Sequence, residues 1–134
     1  MELFGAGVND VPLAERRIGP TPLAAGRPLV VGRRHQQEML KRAVAKDCLQ
    51  FLSREHFKVS YEGGEFWLHA LTENPIWRDR DGTGPVEMAR GDVVNLRHGD
   101  RIALGTGSGN VFATAVEACR TLCWSFREPG QEQE

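Results

Sequence analysis

The sequence predicts an all-β sandwich with one short helical insertion. Two observations carry that expectation. Short runs of alternating apolar and polar residues recur through much of the chain after residue 57, with turn signals every 8 to 12 residues or so. Helical periodicity is confined to one early segment, so a regular strand–helix–strand order is missing and a parallel βαβ fold is disfavoured.

The elements follow in order. Residues 1–28 hold four of the seven prolines (Pro12, Pro20, Pro22, Pro28) with Gly5, Gly7, Gly19 and Gly26, and read as a mostly irregular lead-in. Leu29, Val30 and Val31 form a short apolar run that reaches Gly32 and then Arg33 and Arg34, a strand ending in a loop. Over 35–47 the composition turns to Gln, Glu, Lys, Arg and Ala, and Met39, Leu40, Ala43 and Val44 recur at helical spacing, so a short helix or helical turn is expected near residues 36–46. Phe57, Val59 and Tyr61 alternate with Lys58 and Ser60, and after Gly63 and Gly64 the alternation resumes through Phe66, Leu68 and Ala70. Residues 57–70 therefore predict a hairpin. The polar text of 72–85 predicts a long surface loop or pair of loops. Weak strands are expected at 86–88 and 93–96, a stronger one at 101–104, a turn at Gly105, Gly107 and Gly109, and a strand at 111–116. Residues 117–126 read equally as a closing strand, through Leu122, Trp124 and Phe126, or as a short helix. The domain is expected to span 29–127, with 128–134 a disordered tail.

Composition narrows the function classes. At 134 residues the chain is the size of one domain able to bury a core without metal or staples. Its 17 basic and 18 acidic residues nearly cancel, which gives no electrostatic reason to expect wholesale binding to nucleic acid or to an anionic membrane. Of the basic residues only Lys41, Lys46 and Lys58 are lysine; the rest are arginine, whose planar fork matches phosphate oxygens two at a time. Three cysteines (Cys48, Cys119, Cys123) and no continuous apolar run in residues 1–20 point to a reducing, intracellular setting, cytoplasmic or nuclear.

The residues that stand out are Ser53, Arg54, Glu55 and His56, read with Gly32 and Arg33. Two guanidinium groups and a hydroxyl at strand ends suit the gripping of a phosphate. In this order the chain resembles the forkhead-associated (FHA) domain over roughly 29–116: Gly32 and Arg33 after a hydrophobic strand, Ser53, Arg54 and His56 as Ser-Arg-x-His, Asn74 in the loop after the hairpin, and Leu96, Gly99, Asp100, Ile102, Leu104 and Gly105 as Leu-x-x-Gly-Asp-x-Ile-x-Leu-Gly.

The resemblance implies a sandwich of about eleven strands that binds phosphothreonine peptides and needs no cofactor or metal. It implies that Arg33 meets the phosphate or the peptide backbone beside it, that Ser53 donates its hydroxyl to a phosphate oxygen, and that Arg54 adds a second charge. Asn74 then bonds the peptide main chain, His56 braces the loop, Gly32 serves the backbone path, and Gly99 and Asp100 form a supporting turn. A phosphothreonine-containing protein is the implied partner, met by a module of the kind found within larger multidomain proteins. The chemistry agrees, because phosphothreonine brings about −1.5 to −2 charges and three acceptor oxygens. Two departures qualify the match. Pro75 and Ile76 stand where the family usually has Gly-Thr, and Glu73 occupies a position often held by Ser or Thr near the phosphate, where a carboxylate is repulsive. They motivate an alternative, a scaffold or dimerisation domain of the same fold that has lost phosphate dependence.

Other chemistry is weaker. Ser53 and His56 as nucleophile and base lack a third partner and a Gly-x-Ser-x-Gly elbow. Cys119 and Cys123 lack a second ligand pair for zinc and read as core. The glycines at 105, 107 and 109 fit a turn better than a dinucleotide fingerprint. Trp67, Trp77 and Trp124 read as core or rim, with Trp77 also placed to line a peptide groove.

Overall fold

The structure, a computed structural model, is described for residues 1–5, 7–19, 26–104 and 122–128. Nine strands are present among them: β1 (Glu2–Phe4), β2 (Leu29–Val31), β3 (Phe57–Glu62), β4 (Glu65–Ala70), β5 (Ile76–Arg80), β6 (Gly84–Met88), β7 (Val93–Leu96), β8 (Arg101–Leu104) and β9 (Cys123–Ser125). They make a five-stranded sheet in the order β1-β9-β8-β5-β6 and a four-stranded sheet in the order β2-β3-β4-β7, antiparallel throughout. The expected all-β sandwich is what forms, with nine strands among the described residues in place of about eleven. The glycine turn at 105–109, the strand expected at 111–116 and Cys119 lie outside the described residues.

Alternation builds the core. Phe57 and Val59 of β3 and Leu68 and Ala70 of β4 are buried at 1 % exposure or less. They face Ile76, Ile102, Leu104 and Trp124 of the other sheet in one apolar cluster, the arrangement that period-two strands reach when two sheets cover each other. Between β3 and β4, Gly63 and Gly64 both adopt positive φ (63° and 81°) and join the Glu62–Glu65 pair in a two-residue turn that suits strand twist.

Three expectations change. The stretch at 72–85 is not a loop but mostly the β5–β6 hairpin. Its charged residues hid it, because they are satisfied by the fold. Arg78 of β5 reaches across to the other sheet and donates to the Asn95 carbonyl at 3.0 Å, and Arg80 forks onto both oxygens of Asp100 at 2.9 and 2.8 Å. Arg101 of β8 bonds Asp79 of β5 at 2.8 Å. Burial depresses the Arg78 guanidinium and the nearby Arg80 charge adds to that, whereas the hydrogen bond to Asp100 raises Arg80. Trp77 is buried at 5 % exposure in this sheet.

The lead-in, second, is less irregular than expected. β1 pairs with β9, and Glu2 is buried between Arg17 at 2.8 Å and Arg127 at 3.1 Å. Burial pushes the Glu2 carboxyl up, but the two guanidinium hydrogen bonds outweigh it and the net shift is downward. The helical insertion is, third, two short helices, α1 (Gln37–Ala43) and α2 (Lys46–Leu49). Leu40 and Ala43 turn inward, and the lead-in lies against them through Asn9 N–H to the Ala43 carbonyl and Ala45 N–H to the Gly7 carbonyl, both at 2.7 Å. The end of the chain, open between strand and helix, is strand over 123–125.

Registers place the connections. β2 ends, β3 begins, β4 ends, β5 begins, β6 ends and β7 begins at the same end of the sandwich. The loops at 32–56, 71–75 and 89–92 therefore converge there, and the tight turns at 63–64, 81–83 and 97–100 occupy the other end. That second end is closed by Asp100, 2 % exposed, which also accepts from Arg97 N–H at 2.8 Å, while Gly99 takes positive φ and donates to the Phe126 carbonyl.

Asp100→Ala strands the Arg80 guanidinium and the Arg97 amide, and is expected to cost about 3–5 kcal/mol of stability, as removal of one member of a buried ion pair does. Urea denaturation with unchanged m-value measures it.

Candidate functional site

Where the three loops converge, a cleft of about 530 Å³ is lined by Arg33, Arg34, Ser53, Arg54, Thr72, Glu73, Asn74 and Arg90, among others. All five residues singled out as a binding set (Arg33, Ser53, Arg54, Glu73, Asn74) line it. Gly32 and His56 lie beneath, and Gly99 and Asp100 stand at the opposite end of the sandwich.

The first loop is built on a backbone approach. A Cβ on Gly32 would sit 2.2 Å from the Arg54 carbonyl oxygen and 2.8 Å from the Glu55 Cα, so the position excludes a side chain on contact alone. The approach lets Arg33 N–H donate to the Ser53 carbonyl and Arg34 N–H to the Arg54 carbonyl, both at 3.0 Å. These bonds carry the β2–β3 ladder beyond the strand ends and set Arg33 and Arg34 beside Ser53 and Arg54. Gln36 closes the turn, accepting from Gly32 N–H at 2.8 Å and donating to the Val30 carbonyl at 2.9 Å.

His56 holds the same loop from below. Its own N–H donates to the Val31 carbonyl, and its Nδ1 accepts from Ser53 N–H at 3.0 Å. The ring proton of the neutral form therefore sits on Nε2, which is buried without a hydrogen-bond partner among the described residues. Burial lowers the imidazole to a pKa of about 4, so the ring is neutral near pH 7.

The Ser53 hydroxyl does not meet this imidazole. It pairs with the Thr72 hydroxyl at 2.6 Å, so no nucleophile–base contact links Ser53 to His56. Thr72 Oγ1 also accepts from Asn74 N–H at 3.1 Å, and Asn74 Nδ2 donates to the Phe51 carbonyl at 2.7 Å. The first and second loops are thereby stitched together, with the Asn74 Oδ1 and one further N–H left over. Arg33 Nε bonds the Leu52 carbonyl, which orients its guanidinium; its terminal nitrogens make no hydrogen bond among the described residues.

Electrostatically the cleft is positive where it is open. Glu73, at 84 % side-chain exposure, pairs with Arg90 of the third loop at 3.6 Å. Glu55 pairs with His35 at 2.8 Å, and that hydrogen bond holds its carboxyl below the usual range. The guanidinium groups of Arg34 and Arg54 make no hydrogen bond or ion pair among the described residues, although the Arg34 charge helps lower the Glu55 carboxyl. Pro75 is exposed and needs no donor, and Ile76 is the fully buried first residue of β5. The Pro-Ile departure thus marks a strand that begins directly after Pro75.

Several lining residues escaped the binding set read from the sequence, Arg34, Thr72 and Arg90 among them. Thr72 is 4 % exposed and extends the inward parity of Phe66, Leu68 and Ala70 by one more step, a signal that counting by twos would have found. Arg90 carries no local signal. The β5–β6 register and the bonds from Ala70 N–H to the Asp92 carbonyl and from Gly91 N–H to the Ala70 carbonyl bring it over.

A family model described as FHA domain matches residues 29–105, more than half of the chain. Among solved structures, the chain is similar to the N-terminal FHA domain of S. cerevisiae Rad53p in complex with a phosphothreonine peptide, at 17 % identity and a TM-score of 0.48 over 81 % of this chain and 83 % of that one. No curated protein matches. Among the described residues no helix is long and apolar enough to cross a membrane.

Gly32→Ala is expected to lose about 3 kcal/mol or more, the upper end for overpacking, because the neighbour that must move is backbone; a thermal midpoint equal to wild type would contradict it. The buried His56 sets a pH dependence. Its folded pKa of about 4 lies below the ordinary value of 6.5, so the unfolded state binds the extra proton between these values. Its contribution to stability is constant above pH 6.5 and falls by on the order of 3 kcal/mol as pH drops to 4. Urea midpoints over this window, compared with His56→Asn, measure it, and the variant's profile should be flatter.

Proposed function

We propose that this chain, which belongs to the FHA-domain family, is a phosphothreonine-dependent module that docks a phosphorylated protein and carries out no chemistry of its own. The observation that carries the reading is the group Arg33, Arg34 and Arg54, whose guanidinium groups make no ion pair among the described residues and which line one cleft with the Ser53–Thr72 hydroxyl pair at 2.6 Å.

In this reading the phosphate enters the cleft and takes charge-assisted bonds from Arg33 and Arg54. Ser53 turns its hydroxyl proton to a phosphate oxygen while accepting from Thr72, so neither hydroxyl is left without a partner. Each charge-assisted bond contributes about 1.5–3 kcal/mol. Asn74, fixed by its bond to Phe51, keeps an acceptor and a donor for the main chain of an extended peptide. Glu73 supports the reading more than it opposes it: its charge is offset by Arg90, and its carboxylate points to solvent rather than into the hydroxyl pair. The rival, an FHA-fold scaffold without phosphate dependence, rests on Glu73, Pro75 and Ile76; the Glu73–Arg90 pair and the burial of Ile76 in β5 favour the phosphate reading over it.

Calorimetric titration of a phosphothreonine peptide library and its unphosphorylated counterpart tests the proposal. Binding is expected for the phosphorylated set alone. Equal or absent binding of the two sets sinks it, and self-association in light scattering would then favour the scaffold. Arg33→Ala and Ser53→Ala should each weaken phosphopeptide binding by about tenfold or more while the thermal midpoint barely moves. A large stability loss in either would assign it a structural role instead.

A further inference from the structure

Strand parity leaves a second surface open, the outward face of the four-stranded sheet. The pairings Val30 with Lys58, Lys58 with His69 and His69 with Val93 lay one row across β2, β3, β4 and β7. The next outward row is Ser60, Trp67 and Asn95, and the third is Glu62 with Glu65. One end of the face is thus basic, the middle holds an indole, and the other end is acidic. Val93 is 48 % exposed, Glu62 and Glu65 are exposed, and Lys58, Trp67 and His69 are half-buried. We propose that this face binds the same face of a second copy of the chain, the two copies related by a two-fold axis that runs across the strands along the Ser60–Trp67 row. The association goes beyond the phosphopeptide reading and does not rest on it.

The order of the charges carries the inference. Lys58, Glu62 and Glu65 make no ion pair among the described residues. Lys58 and Glu62 cannot meet each other, because four residues of one strand separate them by about 13 Å. Rotation about the middle row exchanges the two ends of the face. It sets Lys58 over Glu62 of the second copy and Glu62 over its Lys58, so one operation satisfies both charges twice, as an isologous contact does.

The neighbouring charges leave this match in place. Burial lowers the His69 imidazole, the Lys58 charge adds to that and the Glu62 charge opposes it, so the ring is neutral near pH 7 and Lys58 supplies the charge of its row. Asp92, before β7, has the opposite parity and turns its carboxylate to the Ala89 N–H at 2.8 Å. At the acidic end Arg97 follows the parity of Val93 and Asn95, and its Nε donates to Asn95 Oδ1 at 3.1 Å. It offsets one of the two glutamates there, and Glu128, which lines a concavity with Glu65 and Arg97, keeps that end acidic.

The middle row supplies the apolar contact. Trp67 Nε1–H donates to the Glu62 carbonyl at 3.1 Å, which leans the indole toward the acidic row. The rotation brings Lys58 of the second copy to that side, where an ammonium over an indole face adds a cation–π contact. Four strands about 4.8 Å apart and five residues long cover on the order of 300 Å² of each copy. A standard stable interface takes roughly 800 Å² per partner, so the dimer is weak. Because the rotation reverses strand direction, the loop ends point opposite ways and both clefts stay open. Self-association of this kind is therefore compatible with phosphopeptide binding.

Sedimentation velocity in low salt, from about 10 to 500 µM protein, tests the proposal. Wild type is expected to pass from monomer towards dimer over this range. Lys58→Glu makes the face acidic at both ends and Glu62→Lys makes it basic at both ends, so each alone should dimerise about tenfold more weakly or less than that. Mixed in equal amounts, the two variants should associate at least as tightly as wild type, since every basic end then meets an acidic one. The double variant Lys58→Glu/Glu62→Lys, which reverses the order of the charges, should dimerise like wild type. Thermal midpoints of all three are expected near wild type, because neither side chain loses an ion pair within the chain. The proposal is overturned if wild type stays monomeric throughout, if either single variant self-associates as wild type does, or if the mixture stays monomeric. None of these outcomes bears on the phosphopeptide titration, so the two readings fail separately.

Discussion

The contact between Gly32 and the backbone of Arg54 and Glu55 is the constraint on which the functional end of this molecule depends. A residue with a Cβ cannot occupy the position, since its Cβ would lie 2.2 Å from a carbonyl oxygen. Because the backbones approach so closely, the β2–β3 ladder runs on through Arg33 to Ser53 and Arg34 to Arg54. Two residues from each strand end are thus held by main-chain bonds, and four side chains project together at the rim. His56 completes the frame as a neutral, buried imidazole whose Nδ1 holds the Ser53 amide.

Arginine serves two ends of this sandwich in opposite ways. At the turn end, Arg78, Arg80 and Arg101 are bonded to Asn95, Asp100 and Asp79. Their charges are spent on closing the space between the sheets and on crossing from strand to strand, where leaving a partner out is costly. At the loop end, among the described residues, Arg34 and Arg54 make no ion pair, and the Arg33 guanidinium is tied through Nε to a main-chain oxygen. Composition makes the two sets indistinguishable, as all are arginine in a nearly neutral chain. What separates them is where the strands deliver them, to an acid or to open space.

Much of the sheet framework was legible because burial there follows a period of two. The runs 29–31, 57–62, 65–70 and 101–104 have apolar residues on the face that becomes the core, and Gly63–Gly64 signals a hairpin turn whose positive φ values favour glycine. The β5–β6 hairpin was hidden, since Arg78, Asp79 and Arg80 read as solvent-facing until their partners on β7, β8 and the following turn are known. β1 was hidden for a different reason. A three-residue strand with glycine and proline close behind has no periodicity to detect, and it exists because β9 offers it an edge and Arg17 and Arg127 offer Glu2 two hydrogen bonds.

The sequence by itself determined the sandwich class, the family pattern, and the residue types able to grip a phosphate, because period-two burial, a glycine-dependent turn and the chemistry of arginine and hydroxyl groups are local properties. Only the tertiary structure decided which of those residues share a cleft. Thr72 became the partner of Ser53, Arg90 the partner of Glu73, and Arg34 a wall of the same cleft. Each of these outcomes joins segments that are distant in the chain, and the strand registers that bring them together are fixed by how two sheets bury a common core.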